Sequence, residues 1–153
     1  QMTVVNGALS SKTYTLAAQE TQPGIFTVDG SGRGQGAILN YNATTGDYVV
    51  NSSSNTAAKG SIVVLYITGF GVTNPVSGSY QWAASGIDTA SPVTVTIDGK
   101  TATTTSAVPP GSFPGVLQIN ATVPTDSSTG KSIPVTVSVG GVSAQSGVTM
   151  GVK

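Results

Sequence analysis

The sequence predicts an all-β sandwich with an additional β-hairpin at its N-terminus, and three observations carry that expectation. Apolar residues recur at every second position along several stretches. Turn-forming dipeptides separate those stretches. The composition favours strands and turns over charge: serine and threonine number 41 of 153 residues, glycine adds 20, and charged residues make up 8%. Alternation gives an extended strand one apolar and one wet face, because successive side chains point to opposite sides. No stretch shows the 3.6-residue apolar period of an amphipathic helix.

The elements follow in chain order. Residues 3–16 read as strand, turn, strand, with Asn6-Gly7 at the turn. Asn-Gly accepts the positive φ that a type I′ turn needs at both central positions. The same fourteen residues align without a gap on residues 137–150, an offset of 134, where Gly140-Gly141 takes the turn. The chain therefore reads as one module preceded by a spare copy of its last hairpin. A lone hairpin is marginal in water and needs a sheet to join. The expected division is a hairpin element over 1–19 and a sandwich domain over 20–153.

Asp29 to Gly36 reads as a connection between two strands, and Asn40 to Lys59 as a long polar loop. Residues 61–68 are apolar almost continuously between Gly60 and Gly69, which suits a central strand covered on both faces. A second long loop spans Thr73 to Ser91 and holds Tyr80 and Trp82. Val93, Val95 and Ile97 alternate with threonine, and Asp98-Gly99 turns that strand back into one over 100–106. Pro109-Pro110-Gly111 and Phe113-Pro114-Gly115 break the chain before the alternating Leu117, Ile119, Ala121 and Val123. A polar turn from Pro124 to Lys131 precedes Ile133, Val135, Val137 and Val139. This spacing predicts an immunoglobulin-like β-sandwich of seven to nine strands in two sheets, counting the hairpin.

Composition narrows the function classes. Six basic and six acidic residues cancel, and no basic stripe exists, so nucleic acid and anionic membrane surfaces are poor partners. Without cysteine there are no disulfides or thiolate ligands. No apolar run reaches the roughly 18 residues that cross a bilayer as a helix. With no histidine a Ser-His-Asp triad cannot form, and the carboxylates Glu20, Asp29, Asp47, Asp88, Asp98 and Asp126 fall mostly in turn signals. The glycine-rich run from Asp29 to Gly36 lacks the Lys-Ser/Thr ending of a phosphate loop and offers calcium one carboxylate. The expectation is a non-enzymatic protein without cofactor or metal.

Several ordered motifs resemble one family. They are Pro23-Gly24-Ile25-Phe26-Thr27, Gly34-Gln35-Gly36-Ala37-Ile38-Leu39-Asn40, Leu65-Tyr66-Ile67-Thr68-Gly69-Phe70-Gly71 with Asn74-Pro75, Pro92-Val93-Thr94-Val95, Pro114-Gly115-Val116-Leu117-Gln118-Ile119-Asn120 with Val123-Pro124, and residues 137–143. Together they resemble the Solibacter-type uncharacterised C-terminal domain of soil acidobacteria, over roughly Pro23 to Val152. The resemblance implies secretion, a place in large surface proteins and no established catalytic residues. Family members commonly follow other modules, whereas this chain carries only the tail hairpin of a would-be preceding one.

Four sets of residues are candidates for function. Val5, Leu9, Tyr14 and Leu16 are the apolar positions of the hairpin. Donated to another copy, or paired with a neighbouring immunoglobulin-like domain, they would form an inter-subunit strand element and a head-to-tail homopolymer. The opposing reading docks the hairpin on its own domain. Tyr80 and Trp82 could stack on a glycan, as could Tyr41 and Tyr48; alternatively Trp82 plugs the end of the sandwich. Asn42 and Asn51 head two of the three Asn-X-Ser/Thr acceptor patterns and lie in a predicted loop. Lys12, Lys59, Lys100 and Lys131 are expected at solvated turns, the other possibility being a buried Lys–Asn crosslink. The expected role is a secreted cell-surface structural module, the repeating subunit of a filament or adhesive stalk. A carbohydrate-binding or adhesion module is the alternative.

Overall fold

The structure, a computed structural model, describes residues 1–74, 88–107 and 115–153. Among them no helix occurs, and the strands run from two residues to the ten of Gly130–Val139. In chain order they are β1 (Val5–Asn6), β2 (Leu9–Ser10), β3 (Gly24–Ile25), β4 (Gly34–Gln35), β5 (Leu39–Tyr41), β6 (Tyr48–Val50), β7 (Ile62–Thr68) and β8 (Thr73–Asn74). The rest are β9 (Asp88–Thr89), β10 (Val93–Ile97), β11 (Lys100–Thr101), β12 (Thr104–Ala107), β13 (Leu117–Thr122), β14 (Gly130–Val139), β15 (Val142–Ser143) and β16 (Val148–Val152).

Two sheets pack face to face. One has the order β11-β10-β14-β16-β4, with β15 also paired to β14. The other has the order β12-β13-β7-β5-β6, with β3 also on β7. Pairing is antiparallel except between β16 and β4, where Val148 faces Gly34. The predicted all-β sandwich is therefore the observed fold.

The alternation read from the sequence is what fills the interior. Val135, Val137 and Val139 of β14 meet Val95 and Ile97 of β10, Leu117, Ile119 and Ala121 of β13, and Val63, Leu65 and Ile67 of β7 in one buried cluster. Burying an aliphatic side chain of this size contributes about 1.5–3 kcal/mol, so these four strands supply most of the driving force. β7 is central as expected. Val64 is buried although it points away from that cluster, because Tyr41, Tyr48, Ile62 and Asn120 surround it on the outer face.

Three local expectations change. First, the predicted polar loop 40–59 contains the hairpin β5–β6, registered Leu39 to Val50 and Tyr41 to Tyr48. Abundant Asn, Ser and Thr around it hide the short apolar strand Tyr48-Val49-Val50. Second, the predicted strand 100–106 divides: β11 stays on β10 while β12 pairs with β13 in the opposite sheet. The chain crosses between layers at Ala102, which is small enough to be buried at the corner. Third, the N-terminal turn sits one residue later than predicted. Val5 pairs with Ser10 and Asn6 with Leu9, so Gly7-Ala8 form the loop. Only Gly7 has positive φ, the pattern of a type II′ turn. Asp98-Gly99 and Gly140-Gly141 both carry positive φ at both positions, as type I′ requires. The two hairpins that align in sequence thus turn one residue apart, so Val5 pairs with Ser10 where the alignment gives Ala8, and aligned side chains take opposite faces relative to the turn.

A buried amide locks the edge of the second sheet to the first. Asn51, directly after β6, is fully buried. Its Nδ2 donates to the Gly151 carbonyl at 2.9 Å and to Asn40 Oδ1 at 2.8 Å. Its Oδ1 accepts the Gly151 N–H at 2.7 Å and Gln35 Nε2 at 3.3 Å. Residue 151 must be glycine here, since a Cβ would lie 2.6 Å from the Ser52 carbonyl oxygen. At the far corner, Asp98 Oδ2 accepts the Ser128 N–H at 2.7 Å and faces Lys100 Nζ at 3.6 Å. Hydrogen bonding from Ser128, aided by Lys100, holds the Asp98 carboxyl below the usual carboxylate range.

Two outcomes follow. Asn51→Ala leaves the buried Gly151 N–H without its acceptor and Asn40 Oδ1 without its donor, while the Gly151 carbonyl keeps the Ala57 N–H, so chemical denaturation should show a loss of about 2 kcal/mol. Because the folded-state pKa of Asp98 is depressed, its contribution is full at neutral pH and disappears as pH falls from the ordinary Asp range through that lower pKa. Asp98→Asn should flatten the stability–pH curve in that acid window and leave the neutral-to-alkaline part unchanged in shape.

Candidate functional site

The N-terminal hairpin holds together by backbone pairing. β1 and β2 pair around Gly7-Ala8, and Met2 and Tyr14 exchange N–H···O bonds of 2.8 Å in both directions further down. Ser11 N–H donates to the Val4 carbonyl at 2.9 Å. The single charged side chain of this segment, Lys12, places Nζ 5.1 Å from the centre of the Tyr14 ring.

No residue from 1 to 20 is buried. Val5 is 67% exposed, Leu9 76%, Tyr14 48% and Leu16 60%. The hairpin therefore does not dock on its own domain. The body begins where Thr21 becomes buried and donates its hydroxyl to the Val139 carbonyl at 3.0 Å. Gln22 N–H then donates to the Gly69 carbonyl at 2.8 Å. The ribbon is thus rooted beside the β14–β15 turn, where Gln19, Glu20, Ser91, Gly140 and Val142 line a small cleft of about 210 Å³.

The other predicted site residues scatter. Tyr80 and Trp82 lie outside the described residues. Asn42 is exposed, and its Oδ1 accepts the N–H groups of Thr44 at 3.0 Å and Thr45 at 3.4 Å, closing the turn between β5 and β6. Asn51 is the reverse case. Its amide nitrogen is buried and committed to Gly151 and Asn40, so the folded domain offers no sugar acceptor there, and this expectation is corrected. A three-residue pattern records nothing about burial. Lys100 meets Asp98 and Asp126 rather than an asparagine, and Lys59 and Lys131 are exposed. Asp29 accepts from the Ser31 N–H at 3.0 Å and the Ser31 hydroxyl at 2.8 Å, which lower its pKa and turn it onto its own loop. Among the described residues, no three acidic groups come together as metal ligands.

One surface escapes the sequence reading. β6 is an outer edge of its sheet, and Tyr48, Val49 and Val50 are each just over half exposed. Tyr48 stacks against Tyr41 with ring centres 5.1 Å apart. Burial, then the neighbouring Tyr48 phenol, push the Tyr66 hydroxyl above its ordinary pKa. Beside the edge, Asn40, Val49, Ala57, Ala58, Ile62 and Lys153 border an open cleft of about 550 Å³. The available signal was the apolar triplet following Gly46-Asp47. No protein-family model, curated protein or solved structure matches the chain.

Because the hairpin stands clear of the core, Leu9→Ala should change the unfolding free energy of the dilute protein by less than about 0.5 kcal/mol. Leu117→Ala, in contrast, should cost about 2–5 kcal/mol. Parallel urea titrations provide the comparison.

Proposed function

We propose that this chain is a non-enzymatic extracellular structural module, an immunoglobulin-like unit that repeats head to tail in a surface filament or adhesive stalk. Its inter-subunit strand element is the N-terminal hairpin, with Val5, Leu9, Tyr14 and Leu16 as the buried contacts of the assembled state. The observation that carries this reading is the exposure of all four side chains on a ribbon that, among the described residues, pairs only with itself. Such a ribbon gains both hydrogen bonds and apolar burial by joining a sheet in another molecule. A heterologous contact of this kind propagates as an open fibre whenever its rotation does not close. The polar Ser/Thr surface, the zero net charge and the absence of histidine agree with a structural rather than a catalytic role. The family resemblance points the same way.

Deletion of residues 1–19 tests the reading. Nothing in that segment is buried, so the remaining sandwich keeps its whole core. The full chain should show fibres or chains of particles by negative-stain microscopy, and the truncated protein should sediment as a folded monomer. Polymers formed equally well by the truncated protein would sink the proposal.

A further inference from the structure

We infer that the receiver of the hairpin is the β6 edge of a second copy of this chain, together with the cleft beside it. This rests on the donated-hairpin reading and adds the acceptor that reading lacks.

The first support is the hydrogen-bonding phase of β6. Asn42 N–H donates to the Asp47 carbonyl and Asn51 N–H to the Ile38 carbonyl. In the β5–β6 register these two pairs fix Asn40–Val49 as a hydrogen-bonded pair, and Tyr41–Tyr48 and Leu39–Val50 as the non-bonded ones. The N–H and C=O groups of Tyr48 and Val50 consequently point away from β5. The Val50 carbonyl accepts Asn55 Nδ2 at 2.8 Å. Among the described residues, both groups of Tyr48 and the N–H of Val50 have no hydrogen-bond partner. An incoming strand would find three open backbone groups in a row.

The second support is chemical contrast among the sheet edges. β11 carries Lys100, which holds ion pairs; β4 is Gly-Gln; β12 reads Thr-Thr-Ser-Ala. Charged, short or polar edges discourage pairing with other chains. β6 alone among these is three large apolar residues without a protective charge inside it. Strand addition draws affinity from the main chain and specificity from pockets that take alternate side chains. The cleft lined by Val49, Ala57, Ala58 and Ile62 is such a pocket.

The third support is polarity. The hairpin is rooted at the end of the sandwich marked by Val139 and Gly140. The cleft includes Lys153 and Ala57, next to Val152, which pairs with Gly130 at the start of β14. The ten residues of β14 separate these ends by roughly 30 Å at the usual strand rise. The ribbon leaves one end, no residue of it is buried on its own body, and the proposed receiver lies toward the other end, so a contact with a second molecule would run head to tail.

A standard interface buries about 800 Å² per partner, of which a little over half is apolar, or roughly 450 Å². Met2, Val4, Val5, Leu9, Tyr14 and Leu16 present roughly 400 Å² of apolar surface over the two faces of the ribbon, with Val5 on the face opposite Leu9. The donor carries one charged side chain, Lys12, and the acceptor is mixed in charge, with Asp47 immediately before β6 and Lys153 at the cleft.

The test uses three forms of the full chain. Val50→Pro removes the outward N–H without touching a β5–β6 ladder bond, as proline on an edge strand allows. Val49→Lys puts a charge into the cleft and serves if the proline variant fails to fold by circular dichroism. Val5→Asp with Leu9→Asp disables the donor. Analytical ultracentrifugation should show each form as a monomer, with self-association weakened at least about 30-fold. Mixing a folded acceptor variant with the donor variant should give a dimer that grows no further. If the wild-type chain polymerises and the donor variant does not, but both acceptor variants still polymerise, the β6 assignment is wrong and the donated hairpin stands. If the donor variant polymerises like wild type, or wild type stays monomeric at high concentration, both fall. A symmetric β6–β6 dimer would show itself as a donor variant that still dimerises, and would also overturn the assignment.

Discussion

Everything in this molecule depends on burying the inner rows of β7 and β13 against those of β10, β14 and β16. Val, Ile and Leu at every second position bury these rows, with Val93 at the start of β10 only partly covered. Because the strands are short and irregular outside this centre, the interior must do what long ladders do elsewhere. The polar contacts are placed at the margins, where the layers would otherwise separate. Asn51 bridges the second sheet's edge to Gly151 of the first, and Asp98 ties one turn to another through Ser128.

The same constraint explains why the hairpin is free. A sandwich closes once both inner faces are covered, and the inner rows are buried without any residue of the ribbon. Residues 1–19 therefore bury nothing in the core of the sandwich while carrying apolar side chains of core type. The β6 edge is the complementary situation: backbone groups and apolar surface left over on the body. In the proposed assembly the ribbon and the β6 edge would be the two sides of one heterologous contact, which gives it a direction. The buried Asn51 network lies directly behind β6, so the edge is held in a fixed position.

Much of this was readable in the chain. Alternation in residues 93–97, 117–123 and 133–139 gives the inward row of each strand because the period of a pleated strand is two whatever its neighbours. Asp98-Gly99 and Gly140-Gly141 fall where predicted because the φ demands of a type I′ turn are local. Where a decision needed a distant partner, the reading failed. Asn51 looked like a loop acceptor until Gly151, a hundred residues away, came within 2.7 Å. Tyr48-Val49-Val50 looked like loop because three residues are too few to show a period. The slip of the N-terminal turn to Gly7-Ala8 shows that aligned hairpins can still differ in register.

By itself, then, the sequence determined the fold class, the core rows, two of the hairpin turns and the presence of a surplus apolar ribbon, since each follows from local stereochemistry and short-range pattern. Only the tertiary structure decided that this ribbon stays clear of its own domain, that 100–107 changes sheets, that Asn51 is an internal strut, and that β6 is an open apolar edge at the opposite end from the ribbon's root. Those are outcomes of which layers meet and how much space remains between them, and no short stretch of chain encodes them alone.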